Sequence, residues 1–139
     1  MGRLRLEGKS ALVTGAGSGI GAAIAETFAE EGASVFVADI NKSAGGETVS
    51  KIKDAGGTAT FVALDVASDQ QCEAVSSGIL KDGKGLDILV NNAGIGHVGT
   101  LLQTEGDDLD RLYRVNVRGV FNLCKAFLPS MIERGNGNI

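Results

Sequence analysis

The stretch Thr14-Gly15-Ala16-Gly17-Ser18-Gly19-Ile20-Gly21 joins two different patterns in the sequence. The apolar run Ala11-Leu12-Val13 precedes it, and an alanine-rich helical pattern from Ala22 to Glu31 follows it. We interpret the stretch as a turn between a strand and a helix. Glycines let a ligand approach the main chain closely, and the first amides of a helix attract negative charge because they lack partners within the helix. Such a turn is suited to holding a pyrophosphate.

Four short apolar runs predict strands that are buried on both faces. They span Ser10 to Val13, Ser34 to Ala38, Ala59 to Leu64, and Leu86 to Val90. Nearly continuous apolar runs favour a parallel sheet, and helical patterns lie between them. This alternation predicts an α/β fold with a Rossmann-like, doubly wound parallel sheet in three α/β/α layers. No linker interrupts the pattern, so we expect residues 1–139 to form a single domain.

The second half of the chain carries further helix signals. Ser68-Asp69-Gln70-Gln71 has the form of a capping box. A long helix is predicted from about Glu105 to Arg134, and Pro129 is expected to kink or break it. The last two residues, Asn138-Ile139, resemble the first step of a fifth strand.

Composition argues against several classes of function. Thirteen basic and seventeen acidic residues give a net charge of −4, and no Lys/Arg cluster predicts a nucleic-acid surface. No apolar run approaches membrane-spanning length. The two cysteines, Cys72 and Cys124, form no metal or redox motif and are expected to be free thiols. A cytoplasmic location is the resulting expectation.

An acidic residue ends the second apolar run. Asp39 is placed to accept hydrogen bonds from both hydroxyls of an adenosine ribose, and its charge would repel a 2′-phosphate. Neither Ser18 nor Ile40 supplies a positive charge to offset that repulsion, so NAD is preferred over NADP. The alternative is that Asp39 caps the following helix, a position for which Asn41 and Ser43 compete.

Polar residues also end the third and fourth apolar runs. Asp65 is suited to accept a hydrogen bond from an adenine amino group, and the alternative is a turn aspartate. Asn91-Asn92-Ala93-Gly94 offers amide donors and acceptors beside small residues that leave room for a ligand. On this segment alone, a polar turn is an equally good interpretation.

Asn116 lies inside the apolar stripe of the long predicted helix. A buried amide must be hydrogen bonded, so Asn116 is expected to hold a water, a backbone carbonyl or a catalytic partner, or to be a satisfied structural asparagine. His97, the only histidine, is expected to point to solvent. Tyr113 is interpreted as a structural residue because position 117 is Val rather than Lys.

Taken together, these stretches resemble the short-chain dehydrogenase/reductase family. The matching segments are Thr14-Gly15-x-x-x-Gly19-Ile20-Gly21, Asp39, Asp65-Val66, Asn91-Asn92-Ala93-Gly94 and Asn116. They follow the family's order and span nearly the whole chain. The resemblance implies a Rossmann fold, an NAD(P) site and hydride transfer between nicotinamide and a secondary alcohol or ketone.

The resemblance also implies roles for individual residues. Asn116 resembles the asparagine that positions a water in the family's catalytic proton relay, and no metal site is implied. The glycine turn would hold the pyrophosphate, Asp39 the ribose, and Asp65 and Val66 the adenine. The cofactor-binding residues are then Gly15, Ser18, Gly19, Ile20, Gly21, Asp39, Asp65, Val66, Asn92, Ala93, Gly94 and Val115.

The family's catalytic serine and Tyr-x-x-x-Lys follow the fifth strand and are not found before Ile139. We therefore expect the chain to be the C-terminally incomplete cofactor-binding half of an NAD-dependent oxidoreductase, inactive alone. Its full-length parent would be a homo-oligomer acting on a small-molecule alcohol or ketone. The alternative is a non-catalytic nucleotide-binding or regulatory module.

Overall fold

A parallel sheet forms the centre of the protein in the computed structural model, which describes residues 2–139. Within that range the sheet has four strands in the order β3-β2-β1-β4. The strands are β1 (Ser10–Thr14), β2 (Ser34–Asp39), β3 (Thr58–Ala63) and β4 (Ile88–Val90). The predicted Rossmann-like α/β fold is confirmed, although β4 is shorter than its apolar run.

Helices connect the strands and continue beyond β4. They are α1 (Gly19–Glu30), α2 (Lys42–Asp54), α3 (Asp69–Leu80), α4 (Gly106–Tyr113) and α5 (Gly119–Arg134). A short 3₁₀ turn, Leu101–Gln103, precedes α4, and a π-helical segment, Arg114–Arg118, joins α4 to α5.

Successive residues of β1 point to opposite faces of the sheet, and each face is covered by helices. Leu12 packs into a core that includes Leu123 and Phe127 of α5. Val13 packs into a second core that includes Ala25 of α1 and Ile52 of α2. The period of two along a strand therefore separates two hydrophobic cores, and the three α/β/α layers follow.

The expected start of a fifth strand is present beside β4. The Leu89 N–H donates to the Asn138 carbonyl at 2.9 Å, and the Asn138 N–H donates to the Asp87 carbonyl at 2.9 Å. Ile88 and Asn138 form a parallel bridge. The chain thus extends the sheet on the β4 side.

The three expectations about the helices had different outcomes. The predicted long helix is present, because α4, the π-helical segment and α5 follow one another without a gap from Gly106 to Arg134, but the helix does not break at Pro129. Burial of Phe127 and Met131 on either side of Pro129 offsets the backbone bond that proline removes. Ser68 caps α3 by accepting the Gln71 N–H, but the Gln71 side chain accepts the Asp65 N–H, so no reciprocal capping box forms.

A buried carboxylate joins both ends of the chain at the amino edge of the sheet. Asp87 accepts the Ser10 N–H at 2.9 Å, Arg134 Nη2 at 2.8 Å and Asn136 Nδ2 at 3.2 Å. Burial by itself would raise the pKa of Asp87, but these hydrogen bonds from Ser10 and Arg134 and the charges of Arg134 and Lys9 outweigh it and lower the pKa. The charged form is therefore the one that the fold stabilises.

We expect Asp87→Asn to lower the free energy of unfolding by about 1–3 kcal/mol at neutral pH, because an amide cannot accept both sets of donors. A carboxyl with a lowered pKa stabilises the fold above its unfolded pKa, and this contribution is lost as the pH falls through its folded pKa. Urea denaturation of both proteins should therefore show a difference that shrinks as the pH falls below about 3.9, the usual pKa of an aspartate in an unfolded chain. A difference that does not change with pH would contradict this role of the charge.

Candidate functional site

A cleft of about 460 Å³ opens at the carboxyl ends of the strands. Its volume lies within the range of small-molecule and cofactor pockets, about 300–1,000 Å³. The residues lining it are Gly15, Ser18, Gly19, Ile20, Asp39, Ile40, Leu64, Asp65, Val66, Asn92, Ala93, Gly94, Ile95 and Val115. Every predicted cofactor-binding residue except Gly21 lies on this cleft. Asn116 also lies outside its lining.

The glycine turn is held in place by hydrogen bonds from two sides. The Ala16 N–H donates to the Ala38 carbonyl at 3.0 Å, and the Gly17 N–H donates to Asp39 Oδ2 at 2.8 Å. From α2, the Thr48 hydroxyl donates to the Ala16 carbonyl at 2.9 Å. The turn is therefore joined to β2 and to α2, and its shape is fixed before any ligand binds.

The glycines of the turn have different structural roles. Gly19 has φ +55° and lines the cleft, and a Cβ there would meet nothing within 4 Å. Gly21 is buried, and a Cβ there would overlap the Gly15 carbonyl oxygen. Gly19 thus leaves open space for a ligand at the start of α1, whereas Gly21 lets the turn close on itself.

Thr14 connects the glycine turn to the segment after β4. Its hydroxyl accepts the Asn92 N–H at 3.0 Å and the Ala93 N–H at 2.9 Å, and it donates to the Val90 carbonyl at 3.3 Å. Asn92 Nδ2 in turn donates to the Thr14 carbonyl at 3.0 Å. Sequence reasoning missed Thr14 as a site residue, although a hydroxyl at the end of a buried strand is a signal of such a role.

Asp39 presents its carboxylate at the rim of the cleft. Oδ2 accepts the Gly17 N–H, and Oδ1 accepts the Asn41 N–H at 2.8 Å. The alternative that Asp39 caps α2 was wrong, because Asn41 is the cap and accepts the Ala44 N–H through its own side chain. Both Asp39 oxygens are therefore oriented by backbone donors, and each keeps further acceptor capacity.

Asp65 and its neighbours form another part of the rim. Asp65 Oδ1 accepts the Ala67 N–H at 3.0 Å, which is the turn role weighed as the alternative, and Gln71 holds the Asp65 N–H at 2.7 Å. Ile20 and Ile40 are each 75% exposed although they are apolar. Their exposed side chains give the cleft apolar walls that suit a flat ring. The cleft also includes Ile95, and Leu64, which sequence reasoning missed.

Asn116 is exposed, so the expectation that it is a buried amide was wrong. The Ile95 N–H donates to Asn116 Oδ1, and Asn116 Nδ2 donates to the Ile95 carbonyl, both at 2.8 Å. Asn116 lies in the π-helical segment, a feature often found at functional sites. Its side chain therefore holds the segment after β4 by a pair of reciprocal hydrogen bonds.

His97 is half-buried, so the expectation that it points to solvent was wrong. Its Nε2 lies 3.0 Å from Thr104 Oγ1, and its Nδ1 lies 3.9 Å from Asp108 Oδ1. The contacts tie the loop after β4 to α4. Tyr113 lies on the exposed surface of α4 and does not line the cleft.

The two cysteines are free thiols, as expected. Burial, followed by the negative charges of Asp65 and Asp69, raises the pKa of Cys72 to about 11. Among residues 2–139, no group of three or more His, Cys, Asp or Glu side chains is placed to hold a metal ion. Nor does any helix in these residues combine the length and the hydrophobicity that spanning a bilayer requires.

Known proteins are similar to this chain over almost its whole length. Residues 9–139 match the family model described as short chain dehydrogenase. An uncharacterized oxidoreductase of Thermotoga maritima is 45% identical over 136 residues, which are 98% of this chain and 53% of that protein. The chain therefore spans about half the length of that curated relative.

Solved structures with the same fold contain different nicotinamide cofactors. A 7alpha-hydroxysteroid dehydrogenase complexed with NADH and 7-oxo glycochenodeoxycholic acid matches with a TM-score of 0.90 and 41% identity, covering 99% of this chain and 55% of that one. A gluconate 5-dehydrogenase from Burkholderia cenocepacia, in complex with NADP and tartrate, matches with a TM-score of 0.87 and 40% identity, covering 98% of this chain and 55% of that one. The fold alone thus does not select between NAD and NADP.

We expect Gly21→Ala to lower the free energy of unfolding by about 1–3 kcal/mol, because its Cβ forces the turn apart. Gly78→Ala is the matched control: Gly78 lies inside α3, and a Cβ there meets nothing within 4 Å. This control should raise the free energy of unfolding by about 0.5–1 kcal/mol, the usual gain from replacing a helical glycine by alanine. Urea denaturation measures both, and a Gly21→Ala protein as stable as the wild type would contradict the packing role of Gly21.

Proposed function

The chain belongs to the short-chain dehydrogenase family, and on this premise we propose that it carries the cofactor site of an NAD-dependent oxidoreductase. The reaction is hydride transfer between the nicotinamide and a secondary alcohol or ketone. The observation that supports this most is the single cleft that brings together the glycine turn, Asp39, Asp65 and Asn92. Residues 1–139 form one NAD(P)-binding domain in this proposal; Met1 lies outside the described residues.

Each group of residues along the cleft suits one chemical group of a dinucleotide. The open space at Gly19 and the unpaired amides at the start of α1 suit the pyrophosphate. Asp39 suits the adenosine ribose, and Asp65 and Val66, with Val115 nearby, suit the adenine. The segment Asn92–Gly94 lies along the remaining length of the cofactor. When bound, the nicotinamide supplies or accepts the hydride.

Charge supports the choice of NAD over NADP. Asp39 presents two backbone-oriented oxygens where ribose hydroxyls would donate hydrogen bonds. The same negative charge repels a 2′-phosphate. Of the described residues that line the cleft, none is Lys or Arg, so nothing there offsets the repulsion.

Asn116 contributes to the reaction in this proposal through the segment that it holds. Both polar atoms of its side chain are bonded to the backbone of Ile95, which lines the cleft. The side chain thus anchors the end of the segment Asn92–Ile95 to the π-helical segment. The water of the proton relay that the family resemblance implies would then lie beside Asn116.

The substrate and partners follow from the same proposal. The substrate is a small-molecule alcohol or ketone, and no nucleic acid or membrane is involved. The full-length protein is a homo-oligomer in the cytoplasm. An exposed apolar row along α4 and α5 supports self-association; it includes Leu109, Tyr113, Val117, Phe121, Leu128 and Ile132.

The double substitution Asp39→Ala and Ile40→Arg tests the choice of cofactor in the full-length protein. We expect the ratio of NADP affinity to NAD affinity to rise by about tenfold or more, because a like-charge contact worth several kcal/mol is removed and a cation is added. Isothermal titration calorimetry with both cofactors measures the ratio. Ile40→Arg alone is the control for added charge, and an unchanged ratio in the double variant would contradict the role of Asp39.

The 139-residue chain alone is expected to turn over no alcohol, even at high NAD concentration. Its only tyrosine, Tyr113, is not followed by the lysine of Tyr-x-x-x-Lys and lies away from the cleft. A positioned acid or base contributes about 10²–10⁴-fold to such reactions. The assay follows NADH absorbance with a panel of secondary alcohols and with the full-length protein as the positive control. NADH formation by the short chain would contradict the proposal.

A further inference from the structure

Thr48 is a buried polar side chain on the face of α2 that meets the glycine turn. Only 3% of the residue is exposed. Its hydroxyl lies 2.9 Å from the Ala16 carbonyl oxygen and 3.4 Å from the Ala44 carbonyl oxygen of its own helix. A hydroxyl has one proton to donate, and the shorter contact indicates that it goes to Ala16. Thr48 therefore reaches out of its helix to the turn.

The carbonyl that Thr48 holds belongs to the same peptide group as the Gly17 N–H. A trans peptide is planar, so its C=O and N–H point in opposite directions and rotate together. On the other side of this peptide, the Gly17 N–H donates to Asp39 Oδ2 at 2.8 Å. The orientation that Thr48 gives the peptide is therefore transmitted to the Asp39 carboxylate.

Water cannot replace the Thr48 hydroxyl as the hydrogen-bond donor to the Ala16 carbonyl. Ala16 is fully buried, so water does not reach its carbonyl in place of the hydroxyl. A Cβ on Gly17 would lie 2.9 Å from Ala44 Cβ and 2.8 Å from Asp39 Oδ2, which shows how closely α2, the turn and the carboxylate approach one another. Removal of the hydroxyl leaves the buried Ala16 carbonyl without a hydrogen-bond donor. Rotation of the Ala16–Gly17 peptide would bring this carbonyl to another donor, but it would break the hydrogen bond from the Gly17 N–H to Asp39.

We propose that Thr48 is a positioning residue that sets cofactor affinity and the preference for NAD through the Ala16–Gly17 peptide and Asp39. This inference rests on the proposed function, since it concerns the same cleft. The contact of Thr48 lies on the ribose side of the turn and does not touch the space in front of Gly19. Its loss therefore weakens the binding of NAD, whose ribose hydroxyls need an oriented carboxylate. NADP gains little from that carboxylate, so its binding changes less.

The test compares three variants of the full-length protein by titration with NAD and with NADP. Thr48→Val keeps the shape and removes the hydroxyl, Thr48→Ser keeps the hydroxyl, and Thr27→Val is the control. The Thr27 hydroxyl bonds the Ala23 carbonyl within α1 at 2.8 Å, away from the cleft. Removal of one hydrogen bond from a positioned group predicts about a tenfold loss of NAD affinity in Thr48→Val and less than about a threefold loss for NADP.

Thr48→Ser and Thr27→Val should both stay close to the wild type for both cofactors. A loss of the same size for NAD and NADP in Thr48→Val would overturn the inference, because it would indicate a general loosening of α2. Unchanged NAD affinity in Thr48→Val, or failure of Thr48→Ser to restore it, would also overturn it. If Thr48→Val does not fold, Thr48→Cys, with a weaker donor of similar size, takes its place and should show a smaller shift in the same direction.

Binding measurements on the wild-type protein and on Thr48→Val distinguish an error in the proposed function from an error in the role of Thr48. A wild-type protein that binds neither NAD nor NADP would overturn both. A wild-type protein that prefers NAD, with a Thr48→Val variant that keeps the same preference, would overturn only the role of Thr48. In an Asp39→Ala background, Thr48→Val should change NAD affinity no further, because its effect passes through Asp39. A full additional loss there would contradict the inference.

Discussion

The hydroxyl of Thr14 is the contact on which the rest of the site depends. It is buried at the end of β1, and it binds the backbone of Val90, the last residue of β4, and of Asn92 and Ala93, which follow β4. Since β1 and β4 are adjacent parallel strands, their carboxyl ends lie at the same edge of the sheet. The Thr14 contacts bring the glycine turn and the Asn92 segment together there. A Cβ on Gly15 would come within 3.0 Å of Ala93 Cα, so only a glycine permits this approach.

The site extends from this point in both directions by hydrogen bonds of the backbone. On the β2 side, the turn is bonded to Asp39 and to Thr48. On the β4 side, Asn116 holds Ile95. The groups that face the cleft are therefore placed by rigid strands and by helices packed on both faces, and a ligand finds them already oriented.

The order of strands and helices was predictable from the sequence, because buried parallel strands are short, nearly continuous apolar runs between glycines. That these residues meet in one cleft was predictable for the same reason, since polar residues that end parallel strands meet at one edge. The π-helical segment before α5 was not predictable from a periodic pattern. It lies directly before Gly119, where a Cβ would lie 2.6 Å from Val66 Cγ2, a contact set by tertiary packing between residues far apart in the chain. The exposure of Asn116 also depends on tertiary packing. So does the hydrogen bond from the Thr48 hydroxyl to the Ala16 carbonyl.

We propose that the cleft binds a nicotinamide dinucleotide and that Asp39 makes it prefer NAD. Calorimetric titration of the wild-type full-length protein with NAD, NADP and ADP-ribose tests this most directly. We expect saturable binding of NAD and of ADP-ribose, and weaker binding of NADP. NADP binding as tight as NAD binding, or no binding of any of the three, would contradict it.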